Sequence, residues 1–160
     1  MNDRRGTPQS QEMIILWDAA TGRQLQSVVH PTAMDVLAVS PDGLSFVEGG
    51  ADSLVRVRDA ATLGVKQQFR VHDDRITTLA WHPQKPILAT GSADLSVKIW
   101  NLDTGRSLEE FHSLLNPPNA LSFSPGGKRL ACAASDGGVH IWEPPSLNPA
   151  PKAETETSSK

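Results

Sequence analysis

The side chains able to do acid–base or nucleophilic chemistry here are few. There are five histidines (His30, His72, His82, His112, His140), one cysteine (Cys132) and, among the carboxylates, three aspartates set apart by position: Asp52, Asp94 and Asp136. A histidine oriented by a carboxylate and set beside a hydroxyl is the arrangement that activates a nucleophile. His30 with Asp52, and His72 with Asp94, supply such pairs, and Thr90 and Ser92 supply hydroxyls near the second. The rest of that machinery is missing from the sequence. No Gly-x-Ser-x-Gly, P-loop or HExxH motif is present. Apart from their regular recurrence, the histidines lack metal-ligand spacing, and a single thiol excludes both a disulfide framework and a multi-thiolate zinc site. Cys132 lies in the apolar run Leu130 to Ala134 and reads as an inert core thiol. Gly49-Gly50 and Gly126-Gly127 read as strand and turn residues rather than phosphate cradles. No cofactor or metal is implied.

The same polar residues fall into register when the chain is laid out by its tryptophans. Trp17-Asp18, Arg58-Asp59, Trp100-Asn101 and Trp142-Glu143 recur about every 42 residues. Six residues before the last three anchors stand Asp52, Asp94 and Asp136. Turn sequences recur upstream: Ser40-Pro41-Asp42-Gly43, His82-Pro83-Gln84-Lys85-Pro86 and Ser124-Pro125-Gly126-Gly127. Three markers repeating together make chance a poor explanation.

Each period reads as four short strands. In the middle copy, Ile76 to Trp81 alternates with period two and stops at Pro83. Ile87 to Thr90 is a second apolar run, and Ala93 to Ser96 is a tight turn, because a short Asx side chain bonds the backbone two residues on. Val97 to Trp100 is a third strand, Thr104-Gly105-Arg106 a hairpin, and Ser107 to Phe111 a more polar outer strand.

This pattern resembles the WD40 repeat, whose signature of a Gly-His pair, an Asp turn and Trp-Asp recurs at about 40–45 residues. The resemblance covers residues 13–143 and implies an all-β fold of β-propeller blades, about three and a quarter repeats, forming an incomplete propeller or open arc. It divides the chain into a partial blade at 13–29, blades at 30–70 and 71–112, and a three-stranded blade at 113–143. A polar leader at 1–12 and a tail at 144–160, rich in Pro, Ala, Ser, Thr and Glu, are expected to be disordered. The resemblance also implies a buried structural network. In the middle blade its members are His72, Thr90 or Ser92, Asp94 and Trp100, with the choice of hydroxyl left open. The first full blade keeps His30 and Asp52, but Arg58 stands where Trp belongs and Glu48 and Gly50 stand at the hydroxyl positions. Arg58 is then left to pair with Asp52 or Glu48 or to face solvent. The last blade keeps Asp136 and Trp142, with Cys132 and Ala134 at the hydroxyl positions and Leu114 in the His register.

Composition bounds the function class. The 160 residues carry a formal charge of −3, 38% hydrophobic residues, 12 Gly, 12 Pro, four Trp and no Tyr. Net acidity without Tyr argues against a nucleic-acid face. The apolar run Met13 to Trp17 is far too short to span a membrane and makes a poor export signal, so the default location is cytoplasmic. The expected role is a non-catalytic scaffold for other proteins or peptides. Asp73, Asp74 and Arg75 in the connection before the middle blade, together with Arg56 and Arg58, are the candidate contact residues. The alternative is an accessory propeller of a multidomain enzyme, such as a kinase or protease, with its catalytic domain upstream. A start in mid-blade reads as a fragment of a longer propeller, with missing blades supplied by the parent chain or by self-association.

Overall fold

The computed structural model describes residues 13–30, 32–112 and 114–147. The expected leader and residues 148–160 of the expected tail lie outside the described residues. Among the described residues there is no helix, hence none long and apolar enough to cross a membrane. The chain forms four antiparallel sheets in sequence order. The first pairs β1 (Met13–Trp17) with β2 (Gln24–Val29). The second runs β3 (Met34–Val39), β4 (Ser45–Gly50), β5 (Leu54–Asp59) and β6 (Val65–Arg70). The third runs β7 (Ile76–Trp81), β8 (Ile87–Ser92), β9 (Val97–Asn101) and β10 (Arg106–Phe111). The last has β11 (Pro118–Phe123), β12 (Leu130–Ala134) and β13 (Val139–Trp142). β7 touches both β3 and β11, so the first strands of successive sheets lie side by side. Among the described residues no strand of the first sheet pairs with one of the last, and the stack is open rather than closed.

The turns follow from Asx chemistry. Asp52, Asp94 and Asp136 each accept the N–H two residues on, from Leu54, Ser96 and Gly138. The residue between them enters the left-handed region in every copy: Ser53 (φ 62°), Leu95 (φ 68°) and Gly137 (φ 85°). The residue after each of the first three anchors closes the next hairpin. Asp18 accepts from Ala20 and Thr21, Asp59 from Ala61 and Thr62, and Asn101 from Thr104. The register slips at the start of β3, β7 and β11 alike, a bulge repeated with the sequence period.

Period-two alternation assigns each strand's residues to two opposite seams. Val47, Val55 and Val57 pack against Ile76, Leu88 and Trp100 between the second and third sheets. Ala89, Val97 and Ile99 then pack against Leu121, Leu130 and Cys132 between the third and last. Ile14, Phe46 and Leu63 fill the seam at the first sheet. In the last sheet the residues in register with Val97 and Ile99, both 0% exposed, are Val139 and Ile141, and these are 67% and 66% exposed. That face has the composition of a seam, and among the described residues no sheet lies on it.

Residues 144–147, expected to share the disordered tail, instead fold back onto the third sheet. Leu147 is buried in the core cluster, the Ser146 amide donates to Glu109 at 2.7 Å, and Lys85 Nζ donates to the Leu147 carbonyl at 2.8 Å. A leucine after two prolines looks like tail in sequence, but here it closes an apolar seam.

Candidate interaction site and its supporting polar networks

The middle blade contains a closed chain of polar groups. The Asp94 carboxylate only accepts, so His72 Nδ1 carries the proton and donates to Oδ2 at 2.9 Å. His72 Nε2 then accepts from the Thr90 hydroxyl at 2.7 Å, and Thr90 Oγ1 accepts from Trp100 Nε1 at 3.1 Å. The geometry therefore brings Thr90 into the chain. Ser92 turns elsewhere, donating to the Asp74 carbonyl and accepting from the Asp94 amide. Ser96 is a member that sequence reasoning missed: its hydroxyl donates to Asp94 Oδ1 at 2.6 Å and lies 3.0 Å from His72 Nδ1. Its signal was present in the Asx turn, two residues after Asp94. Burial holds the His72 pKa below its usual value. Burial alone would raise that of Asp94, but bonds from Ser96 and the Asp73 amide, with His72 alongside, outweigh it and set the carboxyl at about 2. His72 is 2% exposed with both ring nitrogens engaged, so it presents nothing to a substrate.

The second sheet makes a different arrangement from the same positions. His30 Nε2 meets Glu48 Oε1 at 2.7 Å, and Nδ1 meets the Thr32 carbonyl. Arg58 does not face solvent. It is 5% exposed, its Nε lies 3.0 Å from Glu48 Oε1, and a terminal nitrogen donates to the Leu63 carbonyl at 2.7 Å. The Nε contact is an ion pair without hydrogen-bond alignment, and Glu48 Oε2 has no partner. Asp52 pairs instead with Arg56 at 2.6 Å and accepts from the Thr32 hydroxyl. Arg56 and Arg58, expected as contact residues, are thus both turned inward. In the last sheet Asp136 accepts from Asn116 and the Gly138 amide, Trp142 stacks on Phe111 with centroids 4.7 Å apart, and Leu114 is buried in the core. Cys132 is 1% exposed, and burial raises its thiol pKa.

His82, placed in a turn by the sequence, has partners that spacing did not show. Its Nδ1 accepts from the Gln84 and Lys85 amides, and its Nε2 donates to the Gly127 carbonyl in the neighbouring sheet's turn at 3.1 Å. Gly127 sits at φ 70°, where any Cβ would strike this ring. Burial keeps the His82 pKa low, which suits a ring that must accept at one nitrogen.

Asp73, Asp74 and Arg75 are exposed on the connection between β6 and β7. Arg75 reaches Asp35 of the second sheet at 2.5 Å, and the Asp74 carboxylate accepts from the Arg75 amide. The loop is held from below, because the Asp73 amide and Ser92 hydroxyl tie it to the Asp94 turn. The exposed charges are therefore presented by a fixed backbone. No group of three or more metal-ligating side chains occurs among the described residues.

Comparison with known proteins bears on the repeats and on the fold. The model of the WD domain, G-beta repeat, matches residues 64–101 and 109–143. It leaves out residues 30–63, the span in which Glu48 and Arg58 stand in place of the hydroxyl and Trp. No curated protein matches the chain. Among solved structures, the chain is similar to "Structure of U3-55K" and to "Crystal structure of RRP9 WD40 repeats". Each match has a TM-score of 0.75 and 25% identity, over 84% of this chain. The chain spans 43% of the length of each of those structures.

Proposed function

Since this chain carries WD40 repeats, stacked as consecutive propeller blades, we propose that it is a non-catalytic scaffold for protein–protein interaction, as such repeats are in general. One observation carries the reading: the groups with chemistry to offer are consumed inside the blades, while a charged loop is held rigidly outside them. His72, Thr90 and Trp100 satisfy one another in the core, so their role is to fix the β6–β7 connection. Asp73, Asp74 and Arg75 then meet a partner without paying for loop ordering. Charges on a fixed frame set partner choice and encounter rate more than affinity.

The partner surface is tested by exchanging Asp73→Lys and Asp74→Lys together and comparing capture from native extract. The expected result is loss of partners held by the parent chain, with an unchanged melting curve. Identical capture by both would overturn this assignment of the surface. The same fold would also serve as the accessory propeller of an enzyme, a case marked by an in-frame kinase or protease domain in the natural gene.

A further inference from the structure

The two ends of the stack carry faces that the scaffold reading leaves unused. The inner seams share one construction. A row of β-branched residues on the forward face of one sheet packs with the anchor tryptophan on the back of the next. Val55 and Val57 of β5 pack with Trp100 of β9. Val97 and Ile99 of β9 pack with Trp142 of β13. The forward row of the last sheet, Val139 and Ile141 of β13, repeats this pattern while two-thirds exposed.

The back of the first sheet supplies the counterpart. Trp17 holds the anchor position of β1 and is 55% exposed, against 8% for Trp100. Met13, Ile15 and Trp17 alternate onto one face of β1, opposite Ile14, which is buried in the seam with Phe46 and Leu63. Val29 of β2 pairs with Met13 and so shares that face. All four side chains are exposed. The repeat pattern does not demand this apolarity. Two residues before the anchor, where Ile15 stands, β5 has Arg56 and β9 has Lys98. Val29 occupies the position of Arg70, which pairs with Leu54 as Val29 does with Met13. The first sheet thus carries apolar side chains where its neighbours carry charges, and a contiguous exposed apolar patch marks an interaction surface.

We propose that the forward face of the last sheet docks on the back of the first sheet of a second copy of this chain, head to tail. A second copy fits because its contact continues the seam series: a forward β-branched row meets an anchor tryptophan, with Trp17 standing where Trp100 and Trp142 stand. Val139 and Ile141 on one face, and Met13, Ile15, Trp17 and Val29 on the other, include no charge, so burying them strands no ionised group. The contact joins two different faces, and each pair of chains keeps one free face of each kind. Association therefore continues past the first pair until the rotation closes a ring.

The test uses two variants of the full chain, each blocked on one face. Val139→Lys with Ile141→Lys blocks the forward face, and Trp17→Lys with Val29→Lys blocks the back. All four positions are exposed, and melting followed by circular dichroism checks that both variants keep the parent fold. Should the second variant melt early, Trp17→Lys alone takes its place with the same expected masses. By light scattering the parent should exceed the 17.2 kDa of one chain, and each variant alone should stay at that mass. An equimolar mixture of the two should reach twice 17.2 kDa and stop there, because one intact face of each kind remains and the pair presents only blocked faces. A back-blocked variant that still associates alone would show the forward face pairing with itself and overturn the proposal. So would a forward-blocked variant that associates alone, a mixture that stays monomeric or grows past two chains, or a monomeric parent.

Discussion

Glu48→Thr with Arg58→Trp rewrites the second sheet in the pattern of the third. The side chains involved are buried: Glu48 is 0% exposed and Arg58 5%. Glu48→Thr alone strips the guanidinium of its carboxylate and leaves it the Leu63 carbonyl. Arg58→Trp alone leaves the carboxylate with His30, and Oε2 is already unpartnered. Removing one member of a buried pair costs about 3–5 kcal/mol. For a chain of this size that is roughly 2–4 °C per kcal/mol, so each single variant melts roughly 6–20 °C lower. The double variant removes both charges and places an indole donor over a threonine hydroxyl, as Trp100 and Thr90 do at 3.1 Å. It forfeits the bond to the Leu63 carbonyl, worth about 1 kcal/mol. Replacing a whole buried ion pair is neutral or stabilising by about 1–4 kcal/mol, so the double variant should match or exceed the parent. Urea unfolding of the four proteins, followed by circular dichroism, gives the cycle directly. A double variant whose loss equals the sum of the singles would refute the reasoning that these positions form one exchangeable unit.

Other outcomes follow from the same geometry. His72→Ala, which breaks bonds to Asp94 and Thr90, should cost about 3–5 kcal/mol, whereas His112→Ala at an exposed ring should fall within about 0.5 kcal/mol; equal melting shifts would contradict the blade assignment. Gly127→Ala should cost at least about 1–2 kcal/mol from its φ of 70° alone, read by urea midpoint, because the added methyl also strikes His82. His72 and His82 are both held below the usual 6.5, so the unfolded chain binds more protons in the window just beneath that pH. Their stability contribution is full above about pH 6.5 and falls as the pH drops toward their folded values. Asp94, at about 2, adds a second loss between its usual 3.8 and about 2. Melting temperatures between pH 8 and 2 should show both declines, and a flat profile from pH 7 to 5 would contradict the histidine part.

The strands were legible because apolar alternation and Asx or Pro-Gly turns repeat at a fixed period. Ile76 to Trp81 occupies the position that pattern gave it. What spacing could not decide was direction and partner. Thr90 and Ser92 lie two apart on one strand and share a face, so period two treats them alike; only geometry sends one to His72 and the other to the loop. His82 stayed hidden because its partner is a backbone carbonyl 45 residues away, which leaves no mark in the sequence. Spacing leaves Arg58 to pair with Asp52 or Glu48 or to face solvent, and the structure takes the Glu48 pairing, whose carboxylate makes the burial of an arginine tolerable. Leu147 follows two prolines and so resembles tail in sequence, yet the seam it fills is built from β-strands far upstream.

These blades form an open stack whose last face has seam composition and, among the described residues, no sheet upon it. Light scattering on the purified chain tests this most directly. The account predicts a mass that rises with concentration above the 17.2 kDa of one chain. Val139→Lys with Ile141→Lys should return it toward that value, since both residues are two-thirds exposed and leave the interior seams untouched. A monodisperse 17.2 kDa species at every concentration, the same in parent and variant, would contradict the open stack.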